Sequence, residues 1–238
     1  MSCPDNIKRI INDIIEFKKN PPIGIHIDVD KSNVTNMKAL IIGPKNTPYE
    51  DGYFFFSIVF PYNYPDSAPE VKLKTIDGKI RLNPNLYKCG KVCLSILGTW
   101  SGPGWTSAQT LTSILLSIQT LMNEVPIRNE PGFENLDKNS EKSIDFNNYV
   151  TFNKYKLTIL DVINNKFKEF DCFKTIINKD FKEKYKSHIN NLLSFKEVYD
   201  CKKTYDSPIY FLPKFKTPYD DLLNKFLELD NVKLEVSN

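Results

Sequence analysis

Few residues in this chain have types and spacings suited to chemistry. Five cysteines stand at positions 3, 89, 93, 172 and 201, and the only histidines are His26 and His188. Cys89 and Cys93 lie in the run Leu82-Asn83-Pro84-Asn85-Leu86-Tyr87-Lys88-Cys89-Gly90-Lys91-Val92-Cys93-Leu94-Ser95-Ile96-Leu97. Such a pair raises zinc first, but a structural zinc takes four ligands, usually with a second pair of matching spacing. The chain offers no second pair, and no metal is expected. A cysteine–histidine hydrolase needs an imidazole in reach of the thiol. Neither histidine lies in a recognisable motif, and either one meets Cys93 only through the fold. For an isolated cysteine ahead of Leu-Ser-Ile-Leu, filling space as a small apolar group is the ordinary reading.

Cys93 is not isolated. Asn83-Pro84-Asn85 is followed by Gly90 and Cys93-Leu94, with the cysteine eight residues beyond the second asparagine. Phe60-Pro61, Tyr64-Pro65 and Pro69 precede this pattern, Trp105, Ala108 and Glu130-Pro131 follow it, and Ile7-Lys8-Arg9-Ile10 stands near the start. In this combination the sequence resembles the ubiquitin-conjugating (E2) enzymes, from residue 1 to about 150. Gly90 to Trp100, Asn129 to Glu134, the additional loop residues Ser101 to Gly104, and Asp145 to Ile163 are most similar to the Z-type branch.

The resemblance implies an acyltransferase. Cys93 accepts ubiquitin or a ubiquitin-like protein as a thioester from an activating enzyme (E1) and passes it to a lysine amine, usually with a ligase (E3). A thiol of pKa about 8.5 is only a few per cent thiolate at neutral pH. Thiolates are strong enough nucleophiles for that fraction to serve, so no histidine base is required. The resemblance gives Asn85 an amide that stabilises the oxyanion or pins the loop, and gives Glu130 the task of orienting the incoming lysine and taking its proton. Each residue also suits a plain turn-capping role. Lys8 and Arg9 are the residues expected to face the activating enzyme, and Asp66, Ser107 and Ala108 those expected to face a ligase. ATP acts on the activating enzyme, so this chain needs no cofactor. The branch further implies a non-standard activating enzyme and, more remotely, a second modifier.

Four departures from the family pattern carry expectations. Asn83 replaces a histidine and is expected to lack a structural hydrogen bond. Ser95 stands where many members carry an acid. Asp66 replaces an apolar contact to ligases, and Ala68-Pro69 replaces a proline pair, which raises a cis bond at Pro69.

The elements that must position these residues follow from periodicity. Ile7, Ile10, Ile11, Ile14 and Ile15 make an amphipathic helical stripe, with Ser2 as its cap and Pro21-Pro22 as its stop. Ile23, Ile25, Ile27 and Val29 alternate as in a strand. Met37–Gly43, Tyr53–Phe60 and the alternation Val71, Leu73, Thr75 predict three more strands, and short connections make the four an antiparallel meander. Asp77 to Gly104 shows little regular pattern, which marks it as functional. Thr106-Ser107-Ala108-Gln109 reads as a capping box. It opens a central helix with Leu111, Ile114, Leu115, Ile118, Leu121 and Met122 as its stripe. Helical spacing returns from about 140 to 195, and a short helix is expected over Tyr219–Leu229. The fold class is α+β: helix, four-stranded sheet, irregular active segment, central helix and helical extension. A catalytic core over residues 1–150 and an extension over 151–238 are expected.

Composition bounds the alternatives. Hydrophobic residues at 41% supply a buried core. Thirty-two basic against twenty-nine acidic residues give +3, too weak a footprint for nucleic acid. No apolar run reaches the ~18 residues of a membrane span, and no signal peptide is expected. An odd number of scattered cysteines then suits reduced thiols in the cytoplasm or nucleus. Between Asn153 and Lys216 there are 14 lysines to 8 acids, which reads as solvated helix faces or as a docking surface for an acidic partner. Two rivals differ in class: a non-catalytic ubiquitin- or ligase-binding module on the same scaffold, and a thiol hydrolase. The first is disfavoured by Cys93, Asn85 and Glu130 occurring together, the second by the lack of a histidine motif.

Overall fold

The computed structural model describes residues 4–233. The chain divides into two compact units between Asn135 and Leu136. Position 150, where the sequence suggested a boundary, falls inside a helix of the second unit.

In the first unit α1 (Asp5–Lys19) ends at Asn20, ahead of Pro21-Pro22. The expected cap, Ser2, lies outside the described residues. The helix turns Ile10, Asp13, Ile14 and Phe17 inward. Ile11 and Ile15, which the stripe grouped with them, are exposed. The inward face is therefore rotated toward Phe17 and includes a carboxylate. Strands β1 (Ile25–Val29), β2 (Asn36–Ile42), β3 (Tyr53–Val59) and β4 (Glu70–Leu73) form the antiparallel meander in sequence order. Its register pairs Ile27 with Ala39, Ala39 with Phe56, and Phe56 with Leu73. Tyr53, Phe54, Phe55 and Phe56 are all buried, so β3 is covered on both faces. In β4 the alternation is simple, with Val71 and Leu73 in and Glu70 and Lys72 out. Thr75 follows the strand rather than extending it, and its hydroxyl accepts a hydrogen bond from the Phe55 N–H at 2.7 Å.

The central helix α2 (Leu111–Thr120) starts later than the motif at Thr106 suggested. Its cap is Thr110, whose side chain accepts from the Ser113 N–H while the Ser113 hydroxyl accepts from the Thr110 N–H. That reciprocal pair satisfies two donors that the first turn would otherwise leave open. A third is met from another element: Asp13 of α1 accepts the Leu111 N–H at 3.1 Å. The same carboxylate takes a hydrogen bond from the Tyr64 hydroxyl and one of 3.0 Å from Arg9 Nε. Arg9 also donates to the carbonyls of Ser107 (2.9 Å) and Gln109 (2.7 Å). Trp105 Nε1 donates to the Pro65 carbonyl at 2.7 Å. Helix α1, the Tyr64 turn and the entry to α2 are thus one polar assembly. The cis peptide bond in this turn is Tyr64–Pro65, not one at Pro69.

The second unit is helical. α3 (Glu141–Asn153) is capped by Ser140 and runs into a π-helical segment, Lys154–Leu160, and a single turn α4 (Asp161–Ile163). A 3₁₀ stretch, Lys168–Phe173, leads to α5 (Lys174–Val198), and α6 (Tyr219–Lys233) follows. His188 is buried among the rings of Tyr155, Phe181 and Phe226. The lysine excess resides largely on water-facing positions, among them Lys174, Lys179, Lys182 and Lys186 of α5. No described helix is long and apolar enough to cross a membrane.

Removing the Asp13 carboxylate leaves Arg9 Nε, the Tyr64 hydroxyl and the Leu111 N–H without their acceptor. Asp13→Ala is expected to lower stability by about 3 kcal/mol, read from urea unfolding followed by tryptophan fluorescence. A loss under about 1 kcal/mol is the size of an exposed pair and contradicts the role given to this carboxylate.

Candidate active site

The long segment after β4 lacks periodicity because its order comes from side chains and a single small hairpin. Leu86 pairs with Val92, and the Tyr87 N–H donates to the Lys91 carbonyl at 2.9 Å. The hairpin docks on the end of β4, where the Leu73 N–H donates to the Gly90 carbonyl at 2.8 Å. Gly90 has φ +90, and a Cβ there would stand 2.6 Å from the Leu73 oxygen. Glycine is required on both counts.

Asn83 anchors the base of the hairpin. It is fully buried. Its Nδ2 donates to the Tyr49 hydroxyl at 2.8 Å and to the Leu121 carbonyl, at the end of α2, at 2.7 Å. Its Oδ1 accepts the Asn85 N–H at 2.8 Å and Asn129 Nδ2 at 3.4 Å. The expectation that asparagine here lacks a structural hydrogen bond is overturned. The short amide reaches four partners because Tyr49 and Asn129 come to meet it.

Asn85 in turn holds Cys93 by both of its main-chain groups. The Cys93 N–H donates to the Asn85 carbonyl at 2.8 Å, and Asn85 Nδ2 donates to the Cys93 carbonyl at 2.9 Å. Asn85 Oδ1 is buried and takes no hydrogen bond from the described residues. Cys93 is itself buried. Burial pushes its thiol pKa up, and Lys91, the Tyr87 hydroxyl and Arg81 offset this in part. Both cations also lie against Tyr87: the Arg81 guanidinium is 3.6 Å from the ring centre and Lys91 Nζ 5.9 Å from it. Arg81 is fixed by a hydrogen bond to the Pro84 carbonyl. Tyr87 and Arg81 were passed over in the sequence. Their signal is weak there, since only the hairpin brings positions 81, 87, 91 and 93 together.

Glu130 is buried at the end of a 3₁₀ turn, Pro126–Asn129. Asn129, the last residue of that turn, donates to the Leu121 carbonyl at 2.9 Å as well as to Asn83. The Glu130 turn and the Cys93 hairpin therefore share one anchor. Of the candidate docking residues, Lys8 is exposed and pairs with Asp5 at 2.9 Å. Arg9 is different: its donors are committed to Asp13, Ser107 and Gln109, and it works inside the first unit. Asp66, Ser107 and Ala108 are all exposed. The Trp105–Pro65 hydrogen bond joins the two loops that carry them. Tyr62, 89% exposed on the same turn as Asp66, is the aromatic that sequence reasoning overlooked. Among the described residues no cluster of three or more His, Cys, Asp or Glu could hold a metal.

The family model "Ubiquitin-conjugating enzyme" matches residues 9–153. Ubiquitin-conjugating enzyme E2 Z of Xenopus tropicalis is 42% identical over 180 residues, which cover 75% of this chain and 57% of that protein. Its Homo sapiens counterpart is 40% identical over 185 residues, covering 77% and 52% respectively. The chain thus spans little more than half the length of these curated relatives. A solved structure of human ubiquitin-conjugating enzyme E2 G1 is 30% identical, with a TM-score of 0.45, covering 51% of this chain and 98% of that one. The family match runs through every element that positions Cys93, and the chain belongs to the ubiquitin-conjugating enzymes, in their Z-type branch and with their α+β fold.

Proposed function

We propose that Cys93 is a thioester carrier for ubiquitin or a ubiquitin-like protein. The observation that carries this reading is the clamp on Cys93, whose N–H and carbonyl are both bonded to Asn85 while Lys91, Arg81 and Tyr87 act on the thiol. The Cys93 thiolate attacks the thioester carbonyl on an activating enzyme, and that enzyme's cysteine leaves as a thiolate. A substrate lysine amine then attacks the new thioester, the Cys93 thiolate leaves, and the amine loses a proton.

Asn85 pins the loop in the resting state, and the second hydrogen on its Nδ2 is the donor for the oxyanion during transfer. Removing one such donor typically costs about 100-fold in rate. Glu130 accepts the lysine proton. A lysine of pKa about 10.4 must arrive neutral, and a carboxylate alone favours its charged form, so desolvation on approach assists. Lys8 remains the helix α1 contact for the activating enzyme, and Asp66, Ser107 and Ala108 form the ledge offered to a ligase. ATP is used upstream, and this chain carries no cofactor of its own. Cys89, Cys93 and Cys201 form no disulfide among the described residues, which supports a reducing compartment, cytoplasm or nucleus.

Incubation with ubiquitin, ATP and a panel of activating enzymes, resolved on a non-reducing gel, tests the reading. The expected result is a shift of one ubiquitin mass that thiols reverse and that Cys93→Ala abolishes. An adduct that survives in Cys93→Ala, or no adduct with any enzyme of the panel, contradicts it. The alkylation rate of Cys93 by iodoacetamide should titrate with a midpoint above the ordinary thiol value of about 8.5. In Lys91→Ala the midpoint should rise further, because a cation that favours the thiolate is gone.

A further inference from the structure

After Cys93 the chain reverses tightly. The Leu97 N–H donates to the Leu94 carbonyl at 3.1 Å and the Gly98 N–H to the Ser95 carbonyl at 2.8 Å, with Gly98 at φ 67. The reversal returns Thr99 to the nucleophile. Its N–H donates to the Leu94 carbonyl at 3.2 Å. Its hydroxyl accepts the Leu94 N–H at 2.9 Å. As a donor the hydroxyl has the Val92 carbonyl at 2.7 Å and the Leu94 carbonyl at 3.1 Å. Thr99 therefore grips the residue on each side of Cys93, as Asn85 grips Cys93 itself.

We infer that Thr99 is a positioning residue for the Cys93 nucleophile and acts through its hydroxyl. The inference rests on the carrier reading of Cys93 and extends it. With Asn85 alone, the two peptide units flanking Cys93 are free to rock about the Asn85 bonds. The Thr99 hydroxyl removes that freedom by satisfying one donor and one acceptor on opposite sides of the cysteine. Its side chain is branched at Cβ and restricted in χ1, so the hydroxyl is held in place before any partner binds. A nucleophile displaced by about 1 Å can lose as much as 100-fold in rate. The hydroxyl contributes geometry rather than a proton, and its loss should change kcat more than KM.

Thr99→Val keeps the shape of the side chain and removes the hydroxyl, whereas Thr99→Ser keeps the hydroxyl and removes the methyl. Charging by the activating enzyme and discharge to free lysine are measured for both, together with melting temperature and the pH profile of Cys93 alkylation. The expected result is a kcat for charging and discharge lowered about tenfold or more in Thr99→Val. KM for the charged activating enzyme stays near its wild-type value, and Thr99→Ser restores most of the rate. Wild-type rates in Thr99→Val overturn the inference. So does a Thr99→Ser variant as slow as Thr99→Val, or a rate loss that merely tracks a fall in melting temperature, which makes Thr99 a fold residue. If the unaltered chain does not charge at all, it is the carrier reading that fails. The alkylation profile then decides the inference by itself: a profile altered in Thr99→Val and restored in Thr99→Ser supports it, and identical profiles overturn it.

Discussion

The buried amide of Asn83 is the constraint to which the site answers. It ties the start of the Asn85 hairpin to three points of the first unit that lie 34 to 46 residues from it: the Tyr49 turn, the end of α2 and the turn before Glu130. A buried amide left without partners is costly, whereas one with every partner in place rigidifies what it joins. Each partner is itself tied down. The Tyr49 hydroxyl donates to the Leu82 carbonyl at 2.7 Å, and Asn129 accepts from Asn123 Nδ2 at 3.0 Å. An irregular segment can therefore present Cys93 in one geometry without belonging to a sheet or a helix.

A second polar assembly, around Asp13, does for the proposed docking surfaces what Asn83 does for the thiol. It sets the angle at which α1 meets the entry of α2, through a carboxylate that receives a guanidinium, a phenol and a helix N–H. The loops bearing Asp66 and Ser107 are fastened to the same assembly by Trp105 and Arg9. The exposed positions Lys8, Asp66, Ser107 and Ala108, proposed above as partner contacts, thus stand on one hydrogen-bonded frame and can vary without disturbing it.

Much of this was legible in the sequence where a repeating pattern specifies a repeating structure. The four strands follow from alternation, and the aromatic run in β3 marks the strand covered on both faces. The spacing from Asn85 to Cys93 is the length of the hairpin that joins them by main-chain hydrogen bonds. What escaped was set by contacts across long separations. Little that is local told that Arg9 turns inward, because the Ser107 and Gln109 carbonyls that it bonds lie about a hundred residues away. The start of α2 moved to Leu111 because Thr110 with Ser113, helped by Asp13, caps better than Thr106 does. Asn83 looks like a loss in sequence because Tyr49 and Asn129, which supply what it needs, are far from it along the chain. The aromatic packing of the second unit, with His188 among three rings, has no short-range signature.

On the carrier proposal for Cys93, Asn83 fixes the segment and that fixed geometry makes the thiol competent. Hydrogen exchange at the Cys93 and Asn85 amides, compared between the unaltered chain and Asn83→Ala with charging measured on the same samples, tests that claim most directly. Protection at both amides and the charging rate are expected to fall together, while amides in the middle of β2 and β3 keep their protection. Amides that stay protected in Asn83→Ala, with charging at full rate, would contradict it.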